Sequence, residues 1–214
     1  MKKKDVWEFF NRLRERDPEP KGELDYTNPY TLLVAVTLSA QATDIGVNKA
    51  TKALFKVISS PQDMLDLGEE RLKQHIKTIG LFNAKAKNLL KAAQMLVDDF
   101  GGTVPENRED LEKLAGVGRK TANVVLNIAF GQPTIAVDTH LFRVGNRTRM
   151  AVGKTPLAVE QKLEKIIPPE FLRHAHHWLI LHGRYICKAR RPSCPTCPVI
   201  DLCPYRQKTV VDPL

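Results

Sequence analysis

The sequence predicts an all-α protein. Short apolar stripes at helical spacing recur along the chain. Several are opened by a Ser, Thr or Asn followed by a proline or an acid, as helix N-termini are. Neither an alternating strand set nor a βαβ pattern lies between them. The helices are short, so they have to pack as a globule rather than as a long bundle. A length of 214 residues makes one large domain or two small ones, and 43% hydrophobic content supports a real core.

Taken in order, MKKKDVWEFF starts a first helix, and the polar, proline-bearing stretch from Arg16 to Asn28 crosses from it to the next. Asn28-Pro29 caps and opens YTLLVAVTLSAQ, apolar enough for a buried central helix, although its β-branched content also reads as a strand. Ser60-Pro61 with Asp63 is a cap, a first-position proline and an acid at the third helical position. Asn83 starts AKAKNLLKAAQMLVDDF, where Ala86, Leu89, Leu90, Ala93 and Leu96 form a stripe and the lysines face out. Asn107 caps REDLEKLA with Asp110 three residues on, and a helix follows from Thr121 to Phe130. Thr155-Pro156 opens LAVEQKLEKII, which Pro168-Pro169 ends before EFLRHAHHWLILHG. Glycines at 80, 101, 116, 118 and 131 mark the breaks. Composition changes again near Gly131–Val137. Chain termini are often close, so the first helix is expected to join the C-terminal part in a second domain, leaving a cleft between two helical lobes.

No stretch approaches the ~18 apolar residues of a membrane span, and the first residues turn acidic before any apolar run develops. Neither a secretory nor a lipidated end is expected, and a reduced, cytoplasmic setting follows. No coiled-coil pattern calls for a dimer, so a monomer is expected. The formal charge of +9 is unevenly spread. Six basic residues and no acid lie between Arg71 and Lys91. Five face Asp138 alone between Arg119 and Arg149, and six face Asp201 alone between Arg184 and Lys208. Three basic segments suggest a polyanion partner. Charge by itself leaves nucleic acid no better than even, since many soluble proteins are mildly basic.

All four cysteines, Cys187, Cys194, Cys197 and Cys203, fall in the last 28 residues, with intervals of six, two and five. A zinc ribbon or finger shows two tight pairs separated by a longer excursion. One tight pair with a single cysteine on either side fits a loop wrapped around a [4Fe–4S] cubane, each thiolate reaching a different iron. Two disulfides or a structural zinc are the alternatives. The disulfides are the weaker of these in a chain long enough to fold without them.

Gly116-Val117-Gly118 forms a tight turn between the helix containing Leu111 and Leu114 and the one that follows. The glycines permit a backbone excursion and leave N–H groups bare at the second helix's start, a seat for phosphate. Val117 plugs the angle between the helices. This reads as a helix-hairpin-helix, which grips DNA by its backbone without reading sequence; an ordinary αα turn is the bland alternative. Lys120, just inside the second helix, is a candidate nucleophile toward a sugar C1′ once its amine is neutral, with desolvation, Arg119 and the positive helix end favouring that form. Asp138 is a candidate to move protons or stabilise a cationic sugar. Singly, the lysine also reads as a phosphate contact and the aspartate as the cap of a helix starting at Thr139.

Five segments (LLVAVTLSAQATD, IGLFNAKAKNL, LAGVGRKTANVVL, VDTHLFRVGNR and the terminal C-x6-C-x2-C-x5-C) together resemble the endonuclease III family, bacterial bifunctional DNA glycosylases of the helix-hairpin-helix superfamily. The likeness runs over almost the whole chain. It implies a six-helix barrel-like domain over 22–132 and an iron–sulfur domain from 1–21 with 133–214, with DNA across the cleft. It implies Lys120 as the Schiff-base lysine, Asp138 as the catalytic aspartate and the four cysteines as [4Fe–4S] ligands. Gln41 is implied as the residue inserted where the damaged base leaves the stack, and Leu81, with Ile79 beside it, as the opposite-strand wedge. Gly116, Val117, Gly118, Arg119 and Thr121 are implied to hold the DNA backbone, together with Arg143, Lys188, Arg190 and Arg191. The implied partner is double-stranded DNA with oxidised pyrimidines or abasic sites. Two residues depart from the family pattern: Ala115 where proline is common, and Gly145 where cysteine is often found; both are expected to loosen the scaffold slightly. The adenine-excising branch of the superfamily lacks the hairpin lysine, and a non-catalytic binding module needs neither Lys120 nor Asp138.

Overall fold

The computed structural model describes residues 1–209. Among them the regular structure is helical throughout, and the chain divides into two compact units, Glu23–Gln132 and Met1–Gly22 with Pro133–Leu214. No described helix is long and apolar enough to cross a membrane.

The Glu23–Gln132 unit is built around α2 (Pro29–Leu38), in which every residue from Tyr30 to Leu38 is buried. A helix apolar on all sides has to be covered on all sides, and α8 (Arg119–Phe130) packs directly against it. The strand alternative loses locally. Asn28 Oδ1 accepts the Thr31 N–H at 2.8 Å, and Thr31 Oγ1 accepts the Asn28 N–H at 3.0 Å. This reciprocal cap satisfies N-terminal donors that a strand would present elsewhere. The helix is shorter than the segment read to Gln41 from sequence. It stops at Leu38, where the Ser39 N–H doubles back to Ala35 and Val36 carbonyls, and Gln41 turns left-handed at φ 56°.

Around it run α3 (Asp44–Leu54), α4 (Pro61–Leu67), α5 (Glu69–Ile76), α6 (Phe82–Phe100) and α7 (Arg108–Lys113). Seven helical segments lie here where the resemblance implies six, because Gly68 at φ 76° interrupts the 61–76 stretch. Ser60, Asn107 and Thr43 cap their helices through side-chain oxygens. Leu54, Met64, Leu72, Leu96 and Leu111 are fully buried in one core.

Two expectations about α6 are corrected. The helix begins at Phe82 rather than Asn83. Leu81 occupies the cap position at φ 60°, and its carbonyl takes the first helical bond from the Lys85 N–H at 3.0 Å. The lysines do not all face out: Lys85 is only 7% exposed.

In the second unit α1 (Lys3–Arg16) packs on α11 (Pro169–Leu181), and α9 (Thr139–Arg147) packs on both α10 (Pro156–Ile166) and α11. Val6, Phe9, Phe10, Leu141 and Phe171 fill the core, with Phe10 stacked on Phe171 at 5.8 Å between ring centres. The chain then makes a π-helical turn over His182–Ile186 and a short 3-10 turn at Cys194–Thr196. The Gly145 expectation also changes. A Cβ there would lie 3.2 Å from both the Ala151 carbonyl oxygen and Val159 Cγ1, so this glycine lets the chain pack closely rather than loosening it.

Candidate functional site

In the Glu23–Gln132 unit, α7 ends at Lys113 and the chain turns through Gly116 at φ 79° into α8. The two hairpin glycines are not equivalent. Gly116 combines its left-handed backbone with a close approach, since a Cβ would stand 3.0 Å from Asn88 Cβ. Gly118 has an ordinary φ of −101°, and a Cβ there would meet open space. The protein itself gives no reason for glycine at 118. A surface that a bound backbone must approach gives one. Val117 is buried beside Leu114 and Ala122, and its N–H is already given to the Leu114 carbonyl at 3.0 Å. At the start of α8, where bare amides are expected, no side chain caps the helix, and the Ala122 N–H to the Gly118 carbonyl, 3.0 Å, opens its ladder. Arg119 and Thr121 are half-buried, and Lys120 stands exposed at the second helical position. Its surroundings therefore do not strip water from the amine.

Gln41 and Leu81 are exposed, Leu81 by 64%, and both adopt left-handed backbone that costs a side-chain-bearing residue strain. Ile79 is corrected. At 4% exposure it is a core residue, so its side chain is unavailable to a ligand.

In the second unit Asp138 caps α9. Its Oδ1 accepts both the His140 and Leu141 N–H groups at 2.8 Å, so Oδ2 is not used by the cap. Cys187, Cys194, Cys197 and Cys203 line one pocket with His182, Ile186 and Val199. Burial pushes the Cys197 thiol up to about 11, against the Val199 N–H that favours the thiolate, and the three other cysteines add to the rise. Burial raises Cys203 as well, opposed by the Tyr205 N–H and Lys208. Among the described residues no group of three or more His, Cys, Asp or Glu side chains closes on a single point as one metal ion requires.

Arg143 is a second correction. It does not present a free guanidinium to a ligand but is spent on the cysteine loop. It donates to the Cys187 carbonyl at 2.8 Å, the Gly183 carbonyl at 2.7 Å and the Thr139 carbonyl at 3.3 Å, and meets His140 Nδ1 at 3.1 Å. Arg147, one turn on, was not singled out from sequence, although an i, i+4 pair of arginines shares a helix face. It donates to the Lys188 and Ala189 carbonyls at 2.6 and 2.8 Å and reaches Cys187 Sγ at 3.6 Å. Held in this way, the loop leaves Lys188, Arg190 and Arg191 exposed to solvent.

The family model of the HhH-GPD superfamily base excision DNA repair proteins matches residues 34–169. Endonuclease III of Haemophilus influenzae is 62% identical over 201 residues, covering 94% of this chain and 95% of that protein. The chain belongs to the endonuclease III family. The Escherichia coli K12 member is 57% identical over 208 residues, 97% of this chain and 99% of its own length. A solved trapped endonuclease III–DNA covalent intermediate superposes with a TM-score of 0.89 at 46% identity, covering 96% of this chain and 97% of that one. The family's activity, DNA glycosylase with AP lyase in base excision repair, is the activity of this chain.

Proposed function

We propose that this enzyme removes oxidised pyrimidines from duplex DNA through Lys120 and nicks the strand 3′ to the resulting abasic site. The observation that carries the reading is Lys120 itself, exposed on the first turn of a helix that opens at an uncapped Gly118. Phosphate seated on the α8 amides sets the strand beside that amine, and the duplex that covers it removes its water. The lesion nucleotide rotates out, at least cost where the base stacks poorly, and Gln41 and Leu81 fill the gap. Lys120 Nζ forms a bond to C1′ as the base leaves with the glycosidic electron pair, and Asp138 takes and returns the protons. Opening of the sugar gives a Schiff base. Loss of the 2′ proton then expels the 3′ phosphate, and hydrolysis of the imine frees the lysine from an unsaturated aldehyde. A strand-scission assay on an abasic duplex tests the lyase half, and an intact strand would refute it.

Two features support Gly116, Gly118, Arg119 and Thr121 as the backbone grip: the turn geometry and the space left at Gly118. Gly118→Val is expected to stay folded and to weaken binding to damaged and undamaged duplex alike by about tenfold, since phosphate contacts carry no lesion information. Gly116→Val is expected to lose about 1–2 kcal/mol of stability through its left-handed backbone. Titrations on both duplexes with thermal melts separate the two. A loss confined to damaged DNA would assign Gly118 to the lesion pocket instead.

The cysteine residues fit a [4Fe–4S] cluster. An all-thiol donor set in a half-buried pocket is held anionic by a multivalent cationic core, and Arg147 already approaches one sulfur. Cys187, Cys194, Cys197 and Cys203 would hold the cluster, whose contribution is to tie the C-terminal loop and so present Lys188, Arg190 and Arg191 to phosphates. On this reading the unit built from both termini is the iron–sulfur domain and Glu23–Gln132 the hairpin domain. On the same reading the enzyme works as a cytoplasmic, nucleoid-associated monomer, a setting with which the bacterial origin of its relatives is consistent. Anaerobically purified protein is expected to carry about four irons per chain with sulfide. One tight zinc without sulfide would overturn this.

A further inference from the structure

Among the described residues Lys85 is the one buried lysine, and its head group is bonded to backbone carbonyls rather than to an acid. Nζ donates to the Leu38 carbonyl at 2.9 Å and to the Ala40 carbonyl at 2.6 Å. These are carbonyls at the end of α2, where the helix has stopped and its dipole is negative. The next residue is Gln41, left-handed and exposed. The backbone N–H of the same Lys85 donates to the carbonyl of Leu81, the other left-handed, exposed residue, at 3.0 Å. One residue thus grips the chain beside both strained side chains, across more than forty positions of sequence.

We infer that Lys85 is a positioning residue that holds Gln41 and Leu81 at a fixed mutual placement, so that both enter the duplex as one rigid pair. The inference rests on reading Gln41 and Leu81 as the gap-filling residues. Physical sense favours a buried ammonium here over an apolar side chain. It costs desolvation, which pulls the lysine below its ordinary value, yet it supplies two strong donors to carbonyls that a methionine would leave unpaired. A neutral hydrogen-bond donor on a shorter stem would not span the same gap. The cost is explained when two loops have to be locked together, and left-handed backbone at Gln41 and Leu81 relaxes once the lock is removed.

A double-mutant cycle tests this with cluster-loaded, full-length protein. Single-turnover release of an oxidised pyrimidine from duplex is measured for Lys85→Met in the unmodified background and in a Gln41→Ala/Leu81→Ala background. Displacement of positioned groups by about 1 Å can cost on the order of 100-fold, so a loss of about 10- to 100-fold is expected in the first. In the second, less than about threefold is expected, because the residues through which Lys85 acts are gone. Equal losses in both backgrounds would reduce Lys85 to a general stabilising residue and overturn the inference, as would no loss in either. If Lys85→Met does not fold, Lys85→Gln, a neutral donor on a shorter stem that does not span the gap, replaces it in the same cycle under the same criteria. A Gln41→Ala/Leu81→Ala protein as fast as the unmodified enzyme would instead refute the gap-filling reading itself, and the inference with it.

Discussion

Lys120→Gln is expected to abolish both the nick and the covalent adduct that borohydride traps during turnover. An imine is reducible, whereas an intermediate formed by attack of water is not, so the adduct reports the amine directly. Glutamine keeps polar reach and removes the nucleophile. The substitution is also safe for the fold, because Lys120 is exposed on the first turn of α8 and packs no core. Thermal unfolding should therefore stay within about 0.5 kcal/mol of the original, and affinity for lesion duplex should fall only by the loss of one charge. Base release and strand scission should drop by at least about 1000-fold, as removal of a nucleophile that acts covalently does. Trapping by a folded Lys120→Gln protein at undiminished yield would make another amine the nucleophile, and the assignment would be withdrawn.

Asp138→Asn should separate chemistry from folding at a single atom. The cap of α9 uses Oδ1 alone, taking the His140 and Leu141 N–H groups, and an asparagine oxygen accepts the same two bonds. The helix should start where it does now, with stability changed by only a few tenths of a kcal/mol. What disappears is the negative charge and the ability to take and return a proton, so base release should slow by about 100- to 10,000-fold. Asp138→Ala is the control. It should lose the same activity and also about 1 kcal/mol of stability with the cap. If Asp138→Asn retains full rate while Asp138→Ala is destabilised, the residue is a helix cap and nothing more.

The capping residues were legible before the fold was known because a cap is a local device. Asn28, Ser60, Asn107 and Thr155 each find their N–H partner three residues on, within one turn of the same chain. The same holds for Asp138, whose capping role needed no tertiary information. The register of Leu89, Ala93 and Leu96 on α6 likewise placed the buried face in advance, and read strictly it includes position 85. The lysine there was assigned to solvent because charge is normally excluded from cores. Only its reach to carbonyls 45 and 47 residues away explains its place.

Ile79 and Arg143 fail for the same reason in opposite senses. Ile79 sits beside Leu81 in sequence, yet one side chain is in the core and the other in solvent, a division made by the left-handed turn at Leu81. Arg143 looks like a free cation in a basic segment, and its partners are carbonyls 40 and 44 residues on, at Gly183 and Cys187. From the sequence alone came the helical class, the caps, the hairpin with its lysine, and the four-cysteine run, all of which depend on residues close together in the chain. The tertiary structure alone decided which cations face solvent and which of the two hairpin glycines the protein itself requires. It alone also decided that the Lys85 ammonium reaches the Leu38 and Ala40 carbonyls, because these points follow from packing contacts, donors and acceptors that distant segments bring together.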